Sequence, residues 1–215
     1  MLNLPKIAVT GGLSSGKSSA CRFFKDLGAY VVSADDIVHQ LLSSATPLGQ
    51  QVIKLLGPDI VINKHIDRSR IAQKVFRDAE LLKSLERILH PAVGQELTKL
   101  YHEINQQQNA TLFIAEIPLL FEANGKNFFN YDYSIAIIAD PKLCKMRYLE
   151  TEGNRLEEYT ARSTQQLSQQ EKADQADFVI VNNGTLDELF QQITKLYNLF
   201  VTNSQSRSQF FNESR

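Results

Sequence analysis

Ile7-Ala8-Val9-Thr10-Gly11-Gly12-Leu13-Ser14-Ser15-Gly16-Lys17-Ser18-Ser19 decides how this chain is read. A short apolar run enters G-x-x-x-x-G-K-S, and a helical pattern follows at once. Strand, glycine-rich loop and helix in that order form a phosphate-binding loop for a nucleoside triphosphate. Gly11, Gly12 and Gly16 allow backbone turns closed to residues with a Cβ, and let the chain approach a ligand closely. The N–H groups from Gly11 through Ser19 then converge on an anion, aided by the positive end of the helix. Leu13, Ser14 and Ser15 complete the cradle. Lys17 reaches the outer phosphates, and the Ser18 hydroxyl suits Mg²⁺.

Working outward, helix one places Ala20, Phe23, Phe24 and Leu27 on one face and stops at Gly28. Tyr30-Val31-Val32 reads as a second strand. From 36 to 108 the pattern is helical with almost no strand signal. Thr46-Pro47, Asp67 and Asp78 mark helix starts, Gly57-Pro58 is a stop, and His90-Pro91 predicts a break between two helices. Leu112–Ile117, Ser134–Ile138 and Phe178–Val181 are apolar on both faces, as strands of a parallel sheet between helices are. Helices are expected from Pro141 to about Glu150 and from Leu186 to about Val201. The polar residues 202–215 read as a flexible tail. Five short strands alternating with helices give an α/β class with a doubly wound sheet.

The 215 residues suit a core domain with an insertion. A formal net charge of −1 with dispersed basic residues argues against a nucleic-acid or membrane partner. No apolar run approaches the roughly 20 residues of a membrane span. Cys21 and Cys144 lie far apart in helical patterns, without metal spacing, and the start lacks a signal-peptide layout; a cytoplasmic protein is expected.

Several classes share the loop. A GTPase switch needs N-K-x-D, and the nearest match, Asn63-Lys64-His65-Ile66, lacks the Asp. Large motor and transporter ATPases are usually longer and end the comparable strand in Asp, where this chain has Glu116. A small-molecule kinase needs an acceptor-binding insertion and an arginine-bearing lid that shields the transferred group from water. Residues 36–108 and the polar segment with Arg147, Arg155 and Arg162 supply candidates for both. A kinase with a nucleotide or sugar acceptor, and a regulator that binds nucleotide without turnover, share these features.

Further stretches are more particular: Ala34-Asp35, Ile66-Asp67-Arg68 with Val75-Phe76, and Leu89-His90-Pro91. Downstream come Ile117-Pro118-Leu119-Leu120-Phe121-Glu122, Asp140-Pro141 leading to Arg147, Gln166-Leu167-Ser168 through Glu171-Lys172, Ala176–Ile180 and Asn182-Asn183-Gly184. In this order, over nearly the whole chain, they resemble the dephospho-coenzyme A kinase family. The resemblance implies a P-loop NTPase fold with a five-stranded parallel sheet in order 2-3-1-4-5. It also implies ATP-dependent phosphorylation of the ribose 3′-hydroxyl of dephospho-coenzyme A, the last step of coenzyme A synthesis, with ATP, Mg²⁺ and dephospho-coenzyme A as ligands. On that frame, 1–35, 109–150 and 176–201 form the core, 36–108 a helical acceptor domain, and 151–175 a lid. A monomer or small homo-oligomer is expected.

The resemblance assigns Asp35 as the base for the 3′-hydroxyl; by spacing alone it is equally a helix N-cap. Arg147 matches the family's arginine after Asp-Pro, against a solvated helix surface. Arg155 or Arg162 would replace a second arginine that the family commonly has where this chain has Thr151. Glu116 either holds a metal-bound water or ends its strand. His90 and Arg68 are acceptor contacts, or a helix-end cap and a surface charge. Leu119, Leu120 and Phe121 line the acceptor pocket or pack beneath it. Asn183, with Asn182 and Gly184, forms an adenine edge or a tight turn. Two further departures are Ser33, where the family usually has Asp, and Val181, likewise usually Asp.

Overall fold

A computed structural model describes residues 3–75, 78–127, 129–151, 153 and 155–213, with side chains to 203. Phe76 lies outside the described residues. The elements run β1 (Lys6–Gly11), α1 (Lys17–Asp26), β2 (Tyr30–Ser33), α2 (Ala34–Leu41), α3 (Pro47–Leu56), β3 (Val61–Ile62), β4 (His65–Ile66), α4 (Arg68–Val75) and α5 (Ala79–Gln107). They continue with β5 (Phe113–Glu116), β6 (Tyr133–Ile138), α6 (Pro141–Leu149), α7 (Leu156–Ser163), α8 (Gln169–Gln175), β7 (Phe178–Val181) and α9 (Leu186–Glu213).

Five parallel strands form one sheet in the order β2-β5-β1-β6-β7. Counting only these sheet strands along the chain, the order is the expected 2-3-1-4-5. Alternation along each strand divides the core. Ala8, Phe113 and Ala115 face α5 with Val93, Leu97 and Tyr101, whereas Ile7, Val9, Ile114 and Ile137 face α1 and α9 with Phe24, Leu189 and Ile193. Period-2 side chains on a sheet covered from both sides produce this split. Each fully buried large side chain of this kind contributes about 1.5–3 kcal/mol.

The segment between β2 and β5 builds a smaller core of its own, with Leu42, Val52, Leu56, Ile60, Ile71 and Leu85 buried together. Its caps follow the sequence. Thr46 accepts from Gly49 N–H at 2.9 Å, Asp67 from Ser69 N–H at 2.8 Å, and Asp78 from Leu81 N–H at 2.9 Å.

Three features differ from expectation. Val61-Ile62 pairs antiparallel with His65-Ile66 in what reads as helical sequence. Asn63 and Lys64 both have positive φ, 49° and 68°, so the turn is of the type that matches strand twist. Second, Pro91 lies inside α5 and does not end it. Its ring removes one backbone donor, but Leu85 on one side and Val93, Leu97 and Tyr101 on the other are buried, and that packing carries the helix across. Third, α9 runs on to Glu213, so 202–213, expected as a tail, continue the helix. No glycine or proline interrupts 186–213, and polar residues cost only tenths of a kcal/mol each in a helix.

Replacing Pro91 with Ala restores the donor for the carbonyl of Arg87. Pro91→Ala is expected to raise the unfolding free energy by about 1 kcal/mol or more in urea melts. A loss of stability would show that the ring itself is required by the packing.

Candidate active site

All five sheet strands point their C-terminal ends at one edge, where ligands bind in open α/β sheets. The loop after β1 is shaped by its backbone. Gly16 has φ 102° and Ser14 φ 56°, both in the left-handed region used by backbone turns that form anion-binding concavities. A Cβ on Gly11 would lie 2.0 Å from the Ile137 carbonyl oxygen, and one on Gly16 would lie 2.1 Å from Nδ2 of Asn182. Both positions therefore require glycine.

Lys17 is buried at the base of the loop. Its Nζ donates to the carbonyls of Gly12 (2.8 Å) and Gly11 (3.2 Å). Burial lowers its pKa, and the nearby Lys172 acts the same way, while Glu116, Cys21 and Asp35 oppose the shift. Glu116 ends β5, opposite Val9 on one side and Ser33 on the other. The Ser18 hydroxyl donates to its Oε1 at 3.3 Å. Burial raises the Glu116 pKa; Lys17 and Ser18 counter that and Asp35 adds to it.

Asp35 is exposed in the first turn of α2. Ser33 is the N-cap of that helix, accepting from Asp36 N–H at 3.4 Å. The capping role open to Asp35 in the sequence is thus filled by Ser33. Lys17, Ser18, Glu116 and Asp35 come together.

Asn182, just past β7, is buried, and its Nδ2 donates to the Ser15 carbonyl at 2.8 Å. It braces the phosphate loop. Arg147 donates to the Asn182 carbonyl at 3.1 Å. Asn183 accepts from Asp140 N–H at 2.7 Å and lines a cavity of about 760 Å³ with Gly12, Leu13, Tyr159, Ser163 and Leu167. Arg155 and Arg162 lie exposed at the N-cap and in the last turn of α7.

A second cleft, of about 970 Å³, runs along α5 and holds His90, Arg87, His102, Glu122 and Asn124. Burial lowers the His90 pKa, with Glu86 opposing. Leu119 is exposed, Phe121 is partly buried against the core, and Leu120 is fully buried beneath it. Arg68 is exposed at the start of α4 and lines neither cavity.

Against this geometry, the sequence model described as dephospho-CoA kinase matches residues 6–188. The chain belongs to the dephospho-CoA kinase family. The dephospho-CoA kinase of Protochlamydia amoebophila (strain UWE25) is 48% identical over 198 residues, covering 92% of this chain and 97% of that protein. That of Chlamydia pneumoniae is 43% identical, covering 92% and 96%. Among solved structures, dephospho-CoA kinase from Campylobacter jejuni superposes with a TM-score of 0.66 at 26% identity, covering 92% of this chain and 98% of that one. A Thermus thermophilus structure gives 0.75 at 28% identity, covering 90% and 96%. Family membership makes the chain a kinase, and two separate cavities suit the two substrates a kinase must hold.

Three side chains of this region lie in stretches that carry the family resemblance, but nothing local in the sequence points to their partners. Gln169 accepts from Ala139 N–H and donates to Ala139 carbonyl, both at 2.7 Å, and packs on Gly12. Lys172 and Glu122 form a buried ion pair at 2.9 Å. In sequence, a lysine and a glutamine in a polar stretch look like solvated surface.

Asn182→Ala removes the brace on Ser15. It is expected to cost about 1–3 kcal/mol of stability in urea unfolding and to weaken ATP binding in a direct titration. Unchanged affinity would show that the loop holds its shape without it. Glu116 yields a pH test. Its raised pKa means the folded chain holds that proton more tightly than the unfolded chain. Its contribution to stability is therefore present below the unfolded pKa and lost as pH rises through the folded one. The melting temperature of Glu116→Gln minus that of the wild type should become more positive from about pH 4 to about pH 7.5. A flat difference would contradict a perturbed carboxyl.

Proposed function

We propose that this chain transfers the γ-phosphoryl group of ATP to the ribose 3′-hydroxyl of dephospho-CoA, completing coenzyme A. The convergence of Lys17, Ser18, Glu116 and Asp35 at one strand edge, in a chain of this family, carries the reading. The cytoplasm is the proposed location, and among the described residues no helix is long and apolar enough to cross a membrane.

The phosphate loop receives the triphosphate, and its anionic charge favours the ammonium form of Lys17 that burial disfavours. Ser18 and Glu116 fit Mg²⁺: they are hard oxygen donors within 3.3 Å of each other, and this ion takes few protein oxygens, keeping waters and phosphate. When bound, it neutralises charge on the phosphates. Asp35 accepts the proton of the attacking 3′-hydroxyl and orients it. Arg147, anchored on the Asn182 carbonyl, turns its further donors to the transferred group, and Arg155 and Arg162 add charge from α7. Asn183 lies along the nucleoside. His90, Leu119 and Phe121 contact the acceptor, and Arg68, which is outside the cleft lining, contacts an acceptor phosphate.

An ATP-consumption assay with dephospho-CoA, set against nucleosides and sugars, tests the reaction. Stimulation by dephospho-CoA alone is expected, and its absence overturns the reading. Asp35→Asn should keep nucleotide affinity and lose at least about 10²-fold in kcat. Near-normal turnover would remove Asp35 from the role of base.

A further inference from the structure

Between the two cavities lies a polar knot that neither substrate role requires. Lys172, in α8, is fully buried. Its Nζ donates to Glu122 Oε1 at 2.9 Å and to the Pro118 carbonyl at 2.7 Å. The same Glu122 oxygen accepts from Leu167 N–H at 2.8 Å. The same Pro118 carbonyl accepts from the Thr10 hydroxyl at 3.0 Å, one residue before the phosphate loop. Glu122 lines the cleft along α5, whereas Leu167 lines the cavity beside Gly12. One ammonium therefore ties together β1, the turn after β5, and the segment leading into α8.

Energetics argue that the knot is there for position. Desolvating two ions is costly, and a well-packed apolar pair is often at least as stable. Here the cost is higher still, because Glu122 Oε2 is buried with no hydrogen-bond partner among the described residues. A pair that adds little stability but joins the walls of both cavities is suited to make them move together.

We infer that Lys172 and Glu122 are positioning residues that couple the nucleotide cavity to the acceptor cleft, so that each substrate tightens the binding of the other. This rests on the two-substrate reading above. Ordering Leu167 and its neighbours around a nucleotide fixes Glu122 through the Leu167 N–H and Lys172. That fixes the Glu122–Asn124 wall of the cleft. By linkage, the factor must be the same whichever substrate binds first.

The test is equilibrium titration of the full chain with a non-hydrolysable ATP analogue and with dephospho-CoA, each alone and each in the presence of the other. The wild type should show a coupling factor of about fivefold or more, equal in both directions. Lys172→Met combined with Glu122→Leu replaces the ions by apolar volume. It should keep its melting transition and still bind the analogue, while coupling falls to within about twofold of none. Glu122→Gln, which keeps the shape and weakens the ionic link, should fall between the two and serves alone if the double variant does not fold. Absence of coupling in the wild type, or full coupling in either folded variant, overturns the inference. A chain that fails to bind dephospho-CoA at all overturns the substrate reading instead.

Discussion

Burial of the Lys17 ammonium against the carbonyls of Gly11 and Gly12 is the constraint around which the site is arranged. A cation held in a low-dielectric pocket must find acceptors, and the loop supplies two of its own. That fixes the path of the glycine-rich backbone from below, while Asn182 fixes it from the side through Ser15. Glu116 completes the balance by opposing the desolvation of Lys17. Each group is costly alone and tolerable together.

The sheet presents these groups at one edge because its strands are parallel and its central strand carries the loop. Glu116 follows from register, since it faces Val9 and Ser33 across its two neighbours. Ser33 caps α2 and leaves Asp35 in the first turn, close enough for its charge to be felt at Lys17 and Glu116. The short Ser33 hydroxyl therefore secures the helix start and leaves the Asp35 carboxylate uncommitted to capping.

The five strands were legible because apolar runs and a glycine loop act locally, whereas their order in the sheet came from the family resemblance. Thr46, Asp67 and Asp78 cap as read, for the same reason. The hairpin at Val61–Ile66 was not legible: its strands are two residues each, too short for a period to register. Pro91 misleads because a local prohibition was outweighed by packing on both sides. Lys17, Ser18 and Glu116 were found from spacing and resemblance. Asn182 as a brace, Gln169 on Ala139, and the Lys172–Glu122 pair were not, because each is defined by a partner from 30 to 167 residues away.

That separation has a consequence for how the molecule comes into being. The phosphate loop is synthesised well before the segments that wall it. β1 has no hydrogen-bonded neighbour in the sheet until β5 exists, and Ser15 has no brace until Asn182 has been made. Contacts of such span pay their loop-closure entropy late and form slowly. A fragment ending before β5 would carry the full nucleotide motif without the neighbouring strands and the Asn182 contact that hold it in the folded chain.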